Sequence, residues 1–135
     1  MIALDTNLLV RLLTDDDPVQ AAAVERLLAA QASPNDPAFV ERIVLVELVW
    51  VLQRRYGYAR EAIADAVSAL LRTAWLRLED QPRVVDALDL YRTSRADFAD
   101  IMIMLGAREA GCTGVATFDR KAVAELDGMF LVATG

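Results

Sequence analysis

One feature constrains this chain before any other: a short apolar run, Met1-Ile2-Ala3-Leu4, stops abruptly at Asp5-Thr6-Asn7. A buried strand that delivers an Asp at its carboxyl end puts that carboxylate where ligands bind in open parallel α/β sheets. The same three polar residues also make good helix N-caps, so residues 5–7 alone leave a site and a simple strand-to-helix junction both open. What separates the two readings is whether the remaining chain brings further carboxylates to the same edge.

The 135 residues suffice for one domain with a well-buried core, and the 56% apolar content excludes a disordered chain. Twenty acids against fourteen bases give a net charge of −6, which argues against sequence-independent nucleic-acid binding, since that rests on neutralising phosphates. Every basic residue except Lys121 is Arg. That bias suits bidentate phosphate contacts, but GC-rich coding produces it equally well. The chain has one cysteine, Cys112, and no histidine. Disulfide frameworks, Ser-His-Asp and Cys-His catalysis, and the usual zinc sites are thereby excluded. Chemistry must come from carboxylates, hydroxyls, Arg or Lys, with or without a hard cation. Neither a signal-peptide pattern nor an apolar run of about 18 residues is present, so the expectation is a cytoplasmic chain without a membrane span.

Along the chain, helical and extended patterns alternate. A short helix is expected over 8–13, then a helix over 18–32 opened by Asp17-Pro18, with Val19, Ala22, Ala23, Leu27 and Ala30 as its buried stripe. Asp15, Asp16 and Asp17 read as capping and a solvated loop, because adjacent acids do not readily converge on one ion. A brief strand over 38–41 precedes an apolar run from Ile43 that continues to a stop at Gly57. Its length predicts a helix that is apolar nearly all round, hence buried or covered by a partner. Further helices are expected over 59–73, 82–95, 101–110 and 120–126, with Gly111 as the stop after Ala110. Strands are expected over 75–79, 114–118 and 129–132. The alternation, with no linker and no repeat, predicts one α/β domain with a mainly parallel sheet.

Several acids do not belong in such a core. Asp5 and Asp119 end predicted strands, Glu47 interrupts the apolar helix, and Asp97 and Asp100 open another apolar helix three residues apart, on one face. Bland alternatives exist for each. Asp97 and Asp119 can cap helices, and Glu47 can pair with an arginine such as Arg11 or Arg108. An unpaired carboxylate within the Glu47 run costs several kcal/mol to bury. Converging carboxylates repel: at an effective dielectric near 20, two charges about 4 Å apart interact by roughly 4 kcal/mol. A divalent cation relieves that repulsion, and an all-oxygen donor set selects Mg²⁺ or Mn²⁺.

Asp5-Thr6-Asn7, the Glu47-Leu48 helix, Asp97-Phe98-Ala99-Asp100 and Thr117-Phe118-Asp119-Arg120 together resemble the four motifs of PIN-domain ribonucleases, and more closely those of VapC-type toxins. Each motif is weak by itself; their order, spacing and the total length agree over essentially the whole chain. The resemblance implies a single PIN domain over 1–135, of three-layer α/β/α architecture around a parallel sheet of four or five strands. It implies a metal-dependent endoribonuclease that cuts structured RNA, commonly tRNA or rRNA, with one or two Mg²⁺ or Mn²⁺ ions aiding attack of water on phosphate. By position, Asp5, Glu47, Asp100 and Asp119 form the acidic quartet, and Asp97 is a further acid. Thr6, Asn7 and Thr117 are the expected orienting groups. Members of this kind usually form homodimers and are restrained by a small antitoxin.

Arg11, Arg54, Arg55, Arg120 and Lys121 adjoin the motifs and are the expected RNA contacts. Trp50, Tyr56 and Tyr91 lie near polar turns and suggest a partner surface. A PIN module that only binds RNA or protein is the alternative. A haloacid-dehalogenase-like phosphatase also starts on a strand ending in Asp but needs a second acid two residues on, where this chain has Asn7.

Overall fold

The computed structural model describes residues 1–135, which form two compact units, Met1–Gln81 and Pro82–Gly135. In the first, α1 (Thr6–Leu13), α2 (Pro18–Gln31), α3 (Arg42–Arg54) and α4 (Arg60–Leu71) accompany the strands β1 (Ala38–Val40) and β2 (Leu76–Leu78). β1 and β2 run parallel, with Ala38, Phe39 and Val40 facing Leu76, Arg77 and Leu78. Ala38 donates to the Trp75 carbonyl, whereas Phe39 turns its backbone the other way. Phe39 donates to the Ile2 carbonyl at 2.7 Å and accepts from the Leu4 N–H at 2.9 Å. β1 therefore lies between β2 and the N-terminal segment.

That segment corrects the first expectation in one respect. It forms a single parallel bridge, Ala3 to Phe39, and not a regular strand. The reason is its length: Asp5 already caps α1, so only the residues around Ala3 are left to pair. Buried Leu4, Leu9, Leu45, Leu48, Leu52, Ile63, Val67 and Leu78 supply the core of this unit.

The helix limits follow the local signals. Asp17 accepts from the Gln20 N–H at 3.0 Å with Pro18 in the first turn of α2. Gly57, at φ 64°, stops the chain just past α3 in the left-handed region that favours glycine. Glu41 makes no side-chain cap to α3; Glu79 beyond β2 does so instead, accepting the Arg42 N–H at 2.9 Å. The helix faces depart from expectation. α2 buries Val24 and Leu28, and Val19 is 79% exposed. An alanine-rich helix has little preference for one phase, and its two bulkiest inward residues decide. α3 buries Leu45, Leu48, Val49 and Leu52 and leaves Ile43 (69%), Glu47 and Trp50 (53%) exposed on one face. It is thus buried on one side only.

The second unit contains α5 (Gln81–Thr93, whose first residue belongs to the preceding unit), α6 (Phe98–Glu109), β3 (Val115–Thr117), α7 (Arg120–Glu125) and β4 (Met129–Leu131). β3 and β4 are parallel, Val115, Ala116 and Thr117 facing Met129, Phe130 and Leu131. Every named strand pair in the chain is therefore parallel, as the strand–helix alternation predicts. Tyr91 is buried and packs edge-to-face on Phe98, the ring centroids 5.7 Å apart, so it belongs to the core and not to a partner surface. Gly111, at φ 89°, stops α6 where the sequence places the stop. Gly128 packs so tightly on Met104 that an added Cβ would lie 2.5 Å from its Cγ. No helix is long and apolar enough to cross a membrane.

Candidate functional site

Asp5 is exposed at the head of α1, where its Oδ1 accepts the Thr6 N–H at 2.7 Å. Thr6 itself is 3% exposed, and its hydroxyl donates to Oε1 of Glu47 on α3. The first turn of α1 thus carries one acid and orients another that lies 41 residues on in sequence. Thr6 is an expected orienting group, and its hydroxyl bonds the Glu47 carboxylate. Glu47 differs from expectation: it is exposed, because α3 turns its leucines inward and its only acid outward. Its cost of burial therefore does not arise, and no arginine is needed to compensate it. Arg11 is committed elsewhere.

Arg11 donates to Gln20 Oε1 at 2.6 Å and to Asp16 Oδ1 at 3.0 Å, and the Tyr56 hydroxyl donates to Asp16 Oδ2 at 2.6 Å. Thr14 adds a bond to Asp16 at 2.9 Å. These partners, the Tyr56 hydroxyl first, hold the Asp16 carboxyl below the usual range and the Arg11 guanidinium above its own. The network ties the end of α1 to the start of α2 and to the turn after α3. It gives Arg11 and Tyr56 structural partners within the chain. The spacing of these residues carries no signal that would have revealed the network. Asn7 is exposed and borders a cleft of about 470 Å³ together with Leu8, Arg11, Gln20, Val24 and Arg55. Arg54 and Arg55 are exposed at the end of α3.

In the second unit, Asp97 occupies the N-cap position of α6 but its side chain makes no capping bond. Asp100 lies in the first turn, half-buried. Its carboxyl is pushed above the usual carboxylate range, first by burial and then by the charges of Asp97 and Asp119, with Lys121 opposing. The start of α6 and the β3–α7 junction are therefore electrostatic neighbours. Asp119 is exposed, and its Oδ1 caps α7 by accepting the Ala122 N–H at 3.1 Å. Its own N–H donates to Thr117 Oγ1 at 3.0 Å, so Thr117 sets the turn that presents it. Arg120 and Lys121 are exposed on the same turn. Lys121, expected from the sequence as an RNA contact, also acts electrostatically on Asp100, which the sequence did not signal.

Asp5, Thr6 and Glu47 are thus brought together in the first unit, and Asp97, Asp100, Asp119 and Lys121 in the second. Within neither unit do three acids stand close enough to grip an ion as the side chains lie. The donor chemistry nonetheless suits a hard divalent cation. All the donors are oxygens, and the mutual repulsion that raises Asp100 is what such a cation relieves.

A family model of the PIN domain matches residues 2–128. A protein of Aquifex aeolicus named VapC ribonuclease is 26% identical over 121 residues, covering 90% of this chain and 89% of the relative. Among solved structures, Mycobacterium tuberculosis VapC20, described as a sarcin-ricin loop cleaving toxin, is 23% identical. That likeness covers 92% of this chain and 94% of the other with a TM-score of 0.44. The PIN-domain match carries the α/β/α fold class expected from the sequence. The chain belongs to the PIN-domain family and is similar, over nearly its whole length, to a VapC ribonuclease.

Proposed function

We propose that this chain is a metal-dependent endoribonuclease, the toxin of a toxin–antitoxin pair, acting as one PIN domain over residues 1–135 on structured RNA such as tRNA or rRNA in the cytoplasm. The observation that supports the reading is the PIN-domain match over residues 2–128 in a chain whose acids head or interrupt its helices, Asp5 at the start of α1, Glu47 on α3, Asp100 in the first turn of α6 and Asp119 at the start of α7. Asp5, Glu47, Asp100 and Asp119 would hold one or two Mg²⁺ or Mn²⁺ ions, with Asp97 as an additional acid. When bound, such ions neutralise phosphate charge, favour loss of a proton from water and stabilise the leaving oxygen.

The chain's own groups do the rest. Thr6 holds the Glu47 carboxylate in one orientation through its hydroxyl. Thr117 holds the turn that projects Asp119, and the α7 cap takes one of its oxygens, so the other is the freer to act. Burial and the charges of Asp97 and Asp119 push the Asp100 carboxyl up, and a cation or the Lys121 ammonium would favour its charged form. Arg54, Arg55, Arg120 and Lys121 are exposed cations available to phosphates. Exposed Ile43 and Trp50 on α3 are an apolar surface for a second copy or for a small antitoxin.

Incubating the pure protein with tRNA and rRNA, with and without EDTA, tests the proposal. The expected result is cleavage that EDTA, Asp5→Asn and Asp100→Asn each abolish. Cleavage that persists in any of these three conditions refutes the metal-dependent reading.

A further inference from the structure

Phe118 stands between Thr117 and Asp119 and is 70% exposed, the most exposed aromatic residue in the molecule. Burial does not explain an aromatic there, and neither does the fold, since the turn is already set by backbone and polar bonds. Asp119 N–H donates to Thr117 Oγ1 at 3.0 Å, and Asp119 Oδ1 accepts from Ala122 at 3.1 Å. The first bond spans Phe118 and the second anchors the residue that follows it, so the backbone at Phe118 is held on both sides. On its carboxyl side, exposed Arg120 and Lys121 follow directly. One turn therefore presents a flat apolar face, a carboxylate and two cations.

We propose that Phe118 is a stacking platform for a nucleobase next to the scissile phosphate, a proposal that rests on the nuclease reading above. Charge favours this occupant. With a net charge of −6 and acids crowding Asp119, this chain has little capacity to hold RNA by phosphate neutralisation alone. A base is uncharged and every base has a π-face, so stacking supplies affinity that neighbouring carboxylates do not oppose. Arg120 and Lys121 then serve the phosphates on either side of the stacked base.

The test uses full-length protein carrying Asp100→Asn, to suppress cleavage, and a short single-stranded RNA containing 2-aminopurine. Phe118→Ala should weaken binding by about 5- to 100-fold, the range that base–aromatic stacking spans on alanine substitution. The 2-aminopurine quenching should vanish with it, while the salt dependence of the remaining binding should be unchanged, because no phosphate contact is lost. Phe118→Trp should bind at least as tightly as the parent, and Phe118→Leu, apolar but without a π-face, as weakly as Ala. Thermal melting of all three should match the parent, since the ring is exposed.

Parent protein that binds the RNA while Ala and Leu at position 118 bind equally well overturns the platform and leaves the nuclease reading standing. Parent protein that binds tRNA but not this single-stranded RNA overturns the platform alone, and parent protein that binds neither overturns both. Phe130, registered beside Ala116 and 52% exposed, is the control for a protein-docking patch. If Phe118→Ala and Phe130→Ala alter self-association alike and leave RNA binding intact, Phe118 belongs to a protein contact and the proposal fails.

Discussion

Replacing Thr6 by Val separates orientation of a carboxylate from its presence. Valine keeps the shape and the β-branch of threonine and removes only the hydroxyl that donates to Glu47. A hydrogen bond to a charged acceptor contributes about 1.5–3 kcal/mol when both partners are shut away from water. Here only one is. Thr6 is 3% exposed, whereas Glu47 is exposed and takes water in place of the hydroxyl. A methyl group in the buried position is itself favourable, so the net loss of stability should be about 1 kcal/mol or less, a melting shift of about 3 °C or less. Activity should fall far more, by about 10- to 100-fold, the usual effect of removing a group that orients a ligand. Thr6→Ser makes the opposite change: it keeps the hydroxyl and leaves a methyl-sized gap, at a cost of about 1 kcal/mol. The serine variant should therefore melt lower than the parent and cleave nearly as fast. Single-turnover cleavage of a tRNA mixture over a range of Mg²⁺ concentrations, beside thermal melts, reads both quantities. Valine protein that cleaves within twofold of the parent, or serine protein as slow as valine, refutes the assignment.

Two further outcomes are expected. Asp100→Asn should abolish cleavage and raise the melting temperature at neutral pH. The folded carboxyl titrates above its ordinary 3.8, so its support for the fold is complete below that value and lost as pH rises through the folded one. Removing the charge at pH 7 should then gain at most about 1 kcal/mol once solvent screening is allowed for, and the gain should disappear near pH 3. Equal melting of the two proteins across that range counts against the crowding described. Gly128→Ala should lose about 1–3 kcal/mol by overpacking, because its Cβ would sit 2.5 Å from Cγ and 2.6 Å from Sδ of Met104, which is buried. Gly128→Ala combined with Met104→Ala should recover part of the loss in denaturant melts; no recovery places the strain elsewhere.

The sequence signalled element limits better than element faces, and the physical reason is visible residue by residue. Asp17-Pro18, Gly57 and Gly111 act locally, and each punctuates the chain where expected. α3 has apolar residues on every side, so its pattern sets no phase, and Glu47 was read as buried. Taking the one acid as the outward marker would have pointed Leu45, Leu48 and Leu52 inward and Ile43 and Trp50 outward, as observed. Val19 misled similarly, because alanines on either side of α2 make two phases nearly equal. Glu47, Asp97 and Asp100 lie on or at the start of the helices the sequence indicates, whereas Asp5 follows a single bridge and not a strand. What joins them was only partly legible: the Thr6–Glu47 bond spans 41 residues, and the neighbourhood of Lys121 and Asp100 depends on tertiary packing.

Asp5 and Asp119 share a property that bears on denticity. Each already commits Oδ1 to a helix N-terminus, Asp5 to the Thr6 N–H and Asp119 to the Ala122 N–H. With the caps intact, either residue has its Oδ2 fully available, so each would serve a cation as a monodentate donor and leave coordination positions for water and RNA. The same sharing means that alanine at these sites removes a cap together with a charge. Asparagine keeps an oxygen for the cap and removes only the charge, and is the substitution that reports on chemistry alone.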